Sequence, residues 1–288
     1  MGPVEHKYVD IEGVKVHYVE GGEGPAVLLV HGLGTSLITW RQNFDYLVST
    51  GYRILALDLP GHGDSDKPRS LSYDPVTGAT LIHQFLKIQG LDKVSVVGSS
   101  AGGLIAGLFA LAYPEQVEKM VLVAPGGLGR RLSWLLRIMS VPGLGELLYQ
   151  PKLQNAIVLS KRIFYREPSF LRDILPEMCR VRTLPGSRYA AIQAVRSSIN
   201  LFGLRKQRHI LHQLKESPSP LMTVWGEQDN IIPVAHAETV KRELPDSVVC
   251  IIPRCGHWPH MEKAEEFNRL LVRFLDGTLD NGHLPPGQ

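Results

Sequence analysis

A chain of 288 residues, 44% hydrophobic and 20% charged, is long enough for one large α/β domain or two ordinary ones, and apolar enough for a substantial core. Its net charge of +3, without an aromatic-interleaved basic stretch or zinc-like Cys/His spacing, gives no footing for a nucleic-acid partner or a metal site. Cys179, Cys250 and Cys255, an odd set with no CxxC, argue against structural disulfides and for a reducing, cytoplasmic setting.

The opening MGPVEHKYVD lacks the apolar run of a secretory leader, and no stretch of about 18 apolar residues promises a membrane span. Residues 8–19 (YVDIEGVKVHYV) read as a hairpin turning at Glu12-Gly13. AVLLV at 26–30 is apolar throughout, as a parallel strand covered on both faces must be, and it stops at His31-Gly32. A helix over about 40–49, a strand at 52–59, a helix over 75–90, a strand at 93–98, a helix at 104–113 and a strand at 117–124 continue the alternation. Repeated βα units of this kind predict a parallel sheet wrapped by right-handed crossovers. The alternation breaks over 126–215 and resumes with strands at 220–226 and 247–253 and helices near 234–243 and 265–275. The expected organisation is a core of residues 1–125 and 216–278, an insertion of 126–215, and a loose Gly/Pro-rich tail of 279–288.

Charge divides the chain at the same places. Residues 126–218 hold 16 Lys/Arg against 5 Asp/Glu, while the remainder holds 15 against 23. A basic insertion on an acidic core can be a solvated surface held by intramolecular attraction; it can equally attract an anionic substrate or an anionic lipid surface.

Chemistry is concentrated where strands end. Gly98-Ser99-Ser100-Ala101-Gly102 fits G-x-S-x-G between a strand and a helix. Such a turn strains its central residue, and the glycines remove side chains that would clash, so Ser100 is the candidate nucleophile and Ser99 a neighbour expected to point away and hydrogen-bond locally. A serine hydroxyl needs a base. His257, in RCGHWPHMEK after the last strand, is placed for it, with His260 as local rival. Asp229 in WGEQDNIIP is placed to orient that base, with Glu227 as the alternative. The backbone N–H groups of Ala101 and of Leu33, in His31-Gly32-Leu33-Gly34, are the expected oxyanion donors, with His31 as a buttress of that loop. DLPGHGDSDKP at 58–68 reads as a tight return without a part in catalysis.

Taken together, HGLG after a strand, DLPGHGDSD, GSSAGG, GEQDNIIP and CGHWPHME resemble the α/β-hydrolase superfamily over residues 26–275. The resemblance implies a mostly parallel, eight-stranded sheet flanked by helices, with 126–215 as a helical cap over the site and no cofactor. More narrowly, APGGLG at 124–129 and CGHWPHMEKAEEFNRLLVRFL at 255–275 are similar to the meta-cleavage-product hydrolases, which cut a C–C bond in ring-fission dienoates. That similarity implies substrate contacts for Trp258 and for a cap arginine, Arg180 or Arg182. Ser99 stands where that family has asparagine, HGLGTS replaces its glycine-rich loop, and Trp40-Arg41-Gln42 replaces its Trp-Ser-Asn.

The expectation from sequence is therefore a serine esterase acting through an acyl-enzyme on Ser100, its substrate a small apolar or amphipathic ester, with an anionic group as an option. C–C hydrolysis is the alternative, and a small-molecule receptor that keeps the triad is the reading from another class. RLSWLLRIMSVPGLGELLY at 131–149, with Trp134, is expected to form lid helices that line an acyl pocket, or else to rest in a lipid interface.

Overall fold

The computed structural model describes residues 5–149 and 160–279. Eight strands form one sheet: β1 (His6–Ile11), β2 (Val14–Gly21), β3 (Ala26–Val30), β4 (Arg53–Leu57), β5 (Val94–Ser99), β6 (Val117–Val123), β9 (Leu221–Gly226) and β10 (Val248–Ile252). Their order across the sheet is β1-β2-β4-β3-β5-β6-β9-β10. β1 and β2 pair antiparallel and so do β2 and β4; from β4 to β10 every pairing is parallel.

The apolar runs are explained by two-sided burial. Leu28 and Val30 of β3 belong to the core on one face, with Val96, Leu122 and the helices α2 (Pro75–Ile88) and α3 (Ala101–Ala112). Val27 and Leu29 belong to the other, beneath α1 (Arg41–Ser49) and the helix Ala264–Leu275. In that last helix Phe267, Leu270, Leu271, Phe274 and Leu275 recur at helical spacing and are buried, whereas Glu265, Glu266, Arg269 and Arg273 fall outside the stripe. Each large apolar side chain so buried contributes about 1.5–3 kcal/mol relative to exposure. α2 starts where Asp74 caps it, accepting from the N–H groups of Val76 and Thr77, with Pro75 in the first turn.

Topology fixes where a site can lie. After β3 the chain moves to β4 on one side, then returns to β5 on the other. The loops leaving β3 and β5 therefore part at the carboxyl edge of the sheet, where open α/β sheets form their crevice.

Between β6 and β9 the described elements are the helices Trp134–Met139, Leu144–Leu148, Leu171–Thr183 and Ser187–Ser198, and a short hairpin, β7 (Ile199–Asn200) with β8 (Gly203–Leu204). The hairpin was not foreseen: its strands are two residues each, too short for alternation to register. Apart from Leu279, the expected tail lies outside the described residues. Among the described residues no helix is long and apolar enough to cross a membrane.

Candidate active site

β5 ends at Ser99 and α3 begins at Ala101, so Ser100 alone makes the turn, at φ 56° and ψ −114°. A side chain in that region is strained and persists only where its surroundings hold it. Here they do: the Ser100 N–H donates to the Val123 carbonyl at 2.8 Å, and its own carbonyl accepts from Gly103, Leu104 and Gly126. A Cβ on Gly102 would lie 2.4 Å from the His31 carbonyl oxygen, and one on Gly98 would lie 2.3 Å from the Gly102 oxygen. The glycines are therefore required by close approach of backbone to backbone.

The three residues expected from spacing converge. His257 Nε2 lies 3.0 Å from Ser100 Oγ, and His257 Nδ1 lies 2.7 Å from Asp229 Oδ2. A carboxylate only accepts, so Nδ1 carries the proton and Nε2 is free to accept one from the serine. Asp229 Oδ1 accepts from the N–H groups of Ile231 and Ile232 at 2.7 and 2.9 Å, which fixes the carboxylate plane. His257 and Asp229 are both buried.

The rivals point elsewhere. Glu227 is exposed and accepts from the Gln228 amide. His260 is wholly buried against the Trp40 ring, 4.4 Å between centroids, and burial, with His257 nearby, pushes its pKa down to about 3. Ser99 is buried and its Oγ has no hydrogen-bond partner among the described residues, so it lacks the local bond a buried hydroxyl usually finds.

The HGLG loop abuts the serine, with the Cβ position of Gly32 3.3 Å from Ser100 Cβ. His31 holds this loop as expected. Its Nδ1 donates to the Gly32 carbonyl at 2.7 Å and its Nε2 accepts from the Leu59 N–H at 3.0 Å, which requires a neutral ring; burial lowers its pKa accordingly. The return at 58–68 is organised by Asp58. Its carboxylate accepts from the N–H groups of Leu37 and Asp64 and pairs with His17 Nδ1 at 2.6 Å, and these contacts outweigh burial to hold its pKa low. His17, Asp58 and Asp64 are the grouping of metal-ligand types among the described residues, within 4.8 Å of one another, but Asp58 is already engaged by His17 and backbone N–H groups.

Above Ser100 and His257 opens a cavity of about 520 Å³, roofed from the segment between β6 and β9 by Trp134, Met139, Tyr149 and Arg182. Leu33 and Ala101, expected as oxyanion donors, and Trp258, expected as a substrate contact, also line it. Among the described residues no Asp or Glu does, so Arg162 and Arg182 are its only permanently charged groups. Arg182 lies over the Tyr149 ring at 4.4 Å, and its Nε has no hydrogen-bond partner among the described residues.

Arg180 corrects the expectation. It faces away from the cavity and is taken up by Asp64 and Glu177, each at 2.7 Å. Two residues apart on a helix, it and Arg182 must point to different sides. Arg41, Gln42 and Ser99 do not line the cavity either, whereas Gly32, Leu33, Gly34 and Thr35 of the HGLGTS loop do.

One connection left no signal in the motifs. Glu262 accepts from the N–H groups of Gly256, Tyr165 and Arg166 at 2.7, 3.1 and 2.6 Å, and the His257 N–H donates to the Ile163 carbonyl at 2.6 Å. A carboxylate that gathers main-chain N–H groups from two loops can be found only once both loops are placed.

The profile of the α/β hydrolase fold matches residues 25–264. The chain belongs to the α/β-hydrolase-fold family. It is 30% identical to a 2-hydroxy-6-oxononadienedioate/2-hydroxy-6-oxononatrienedioate hydrolase of Comamonas testosteroni, over 92% of each chain. It is likewise 30% identical to a 2-hydroxy-6-oxo-6-phenylhexa-2,4-dienoate hydrolase of Burkholderia cepacia, again over 92% of each. Among solved structures, a membrane phospholipase A superposes with a TM-score of 0.82 at 28% identity, covering 96% of this chain and 86% of the other.

Proposed function

We propose that this α/β hydrolase cleaves a carbon–carbon bond beside a ketone in an apolar substrate that carries a carboxylate, the chemistry of ring-fission dienoates. The observation that carries the reading is Arg182: a half-buried cation without an ion pair among the described residues, on the wall of a mostly apolar cavity above Ser100 that Arg162 also lines. Such a wall selects an apolar body with one anionic end. The names of the two curated relatives support the same substrate class.

In this reading Ser100 Oγ attacks the ketone carbon while its proton passes to His257 Nε2, and Asp229 stabilises the imidazolium. The N–H groups of Leu33 and Ala101 receive the oxyanion. Collapse breaks the C–C bond; the leaving carbon, stabilised by conjugation, takes the proton from His257. Water, deprotonated by the same imidazole, then releases the acid from Ser100. Ester cleavage uses identical groups with an alkoxide leaving. It is the second reading, supported by the apolar lining from Leu132 to Leu148 and the similarity to a phospholipase A.

The test is a comparison of kcat/KM for 2-hydroxy-6-oxo-6-phenylhexa-2,4-dienoate and for aryl esters of rising acyl length, with Ser100→Ala alongside. C–C hydrolysis requires the dienoate to be preferred and Ser100→Ala to lower its turnover by about 10³-fold or more. Preference for the esters moves the assignment to the second reading. Saturable binding without turnover of either makes the protein a receptor.

A further inference from the structure

The segment between β6 and β9 presents large apolar side chains to solvent. Trp134, Leu144, Leu147, Leu148, Leu201 and Phe202 are all exposed, Phe202 by 81% and Leu147 by 63%. They belong to elements joined to one another. Arg137, in the helix of Trp134, donates from Nε to the Leu201 carbonyl at 2.6 Å, so the hairpin tip is fastened to that helix. The helix of Leu147 packs so closely on it that a Cβ on Gly145 would lie 2.2 Å from the Met139 oxygen. A monomer that leaves such side chains grouped in water forgoes burial, and a grouping of this kind marks an interaction surface.

Charge identifies the partner. Arg130, Arg131, Lys161 and Lys206 are exposed in the same segment, and among the described residues none is in an ion pair. Arg130 lies at the hairpin, its carbonyl accepting from the Leu204 N–H at 3.0 Å, and Arg162 lies over the Trp134 ring. Of the segment's five acids, Glu146 is taken up by Arg196 at 2.8 Å and Glu177 by Arg180 at 2.7 Å. A second copy of the chain would bring the same basic rim against this one, like charge against like. An anionic headgroup layer supplies the opposite sign, and the apolar layer beneath it receives Trp, Leu and Phe side chains.

The same surface leads inward. Trp134, Leu147 and Leu148 are exposed and also line the cavity above Ser100. We infer that this face docks on anionic lipid bilayers, so that the cavity fills from the bilayer rather than from water. A substrate with an apolar body then enters from the phase in which it is concentrated. The inference is independent of which bond is cleaved, since docking needs no turnover.

The test is co-sedimentation of the full chain with phosphatidylcholine vesicles and with mixed phosphatidylcholine–phosphatidylserine vesicles, read together with tryptophan emission. Of the four tryptophans, Trp134 is 54% exposed whereas Trp40 and Trp225 are 0% and Trp258 5% exposed, so a blue shift on binding reports Trp134. Binding to the anionic vesicles with that shift is expected. Leu201→Ser with Phe202→Ser lowers the partition by about tenfold or more. Arg130→Gln with Arg131→Gln lowers it by about fivefold or more and flattens its salt dependence. Neither Leu201 nor Phe202 lines the cavity, so turnover of a water-soluble substrate by that double variant stays within about twofold and certifies its fold.

Absence of binding to both vesicles overturns the inference. So does equal binding to neutral vesicles that ignores the arginine changes. A chain that self-associates in solution, becomes monomeric on Leu201→Ser/Phe202→Ser and never binds vesicles assigns the face to a second copy instead.

Discussion

The sheet and the segment laid over it solve the burial problem in opposite ways. Strands β3, β4, β5, β6 and β9 hide both faces, and their loops are held by backbone contacts as tight as that of Gly102 against the His31 carbonyl. The segment between β6 and β9 buries one side of short helices and leaves Trp134, Leu147 and Phe202 in water. The tight packing falls where Ser100, His257 and Asp229 meet, and the exposed apolar side chains fall in the segment that roofs the cavity. The contrast teaches that one chain can hold a site in closely packed loops beneath a roof that is only half buried.

The strongest way to break the contrast is Gly102→Val. The branched side chain has no room against the carbonyls of Val30 and His31, so a loss of about 3 kcal/mol or more is expected, read as a fall in melting temperature or in soluble yield. In the roof, Arg182→Gln should raise KM for a carboxylate substrate about 10–100-fold with kcat within about threefold. Arg180→Gln, whose partners are Asp64 and Glu177, should leave both constants within about twofold, so steady-state kinetics on the pair separates the two arginines.

Acid probes the interior of the sheet side. Burial pushes His62 and His260 down to about 3, below their unfolded value near 6.5. Between these values the unfolded chain binds protons that the folded chain does not, so stability is full above about pH 6.5 and falls as pH drops toward 3. At pH 5 each should cost on the order of 2 kcal/mol. Denaturant titration at pH 7 and pH 5 measures this, and His260→Phe should remove its share. The smallest effect is expected at the seam between the regions. Glu262→Gln keeps the shape but loses the charge that gathers three N–H groups, and should cost about 1 kcal/mol in thermal unfolding.

How much of this was legible beforehand follows the same division. The sheet could be read because doubly buried strands must be apolar throughout, and the Ser100–His257–Asp229 geometry because each residue follows a strand end in a loop of distinct composition. Arg182 was within reach: helical phase alone separates it from Arg180. The Glu262 seam, the Asp58–His17 pair and the hairpin at Ile199–Leu204 were not. The first two join segments distant in sequence, 97 residues apart for Tyr165 and Glu262 and 41 for His17 and Asp58, and the hairpin's two-residue strands are too short to show alternation. The ranking of ester cleavage above C–C cleavage leaned on Ser99, Arg41 and Gln42, which do not line the cavity, and on the HGLGTS loop, whose Gly32, Leu33, Gly34 and Thr35 do.

The bond from the His257 amide to the Ile163 carbonyl makes the imidazole a shared possession of platform and roof. Any displacement that lifts Ile163 must either break that bond or drag the histidine loop along with it. Movement of that flank and placement of the imidazole are therefore mechanically linked, as a door is to a latch fixed on its own hinge.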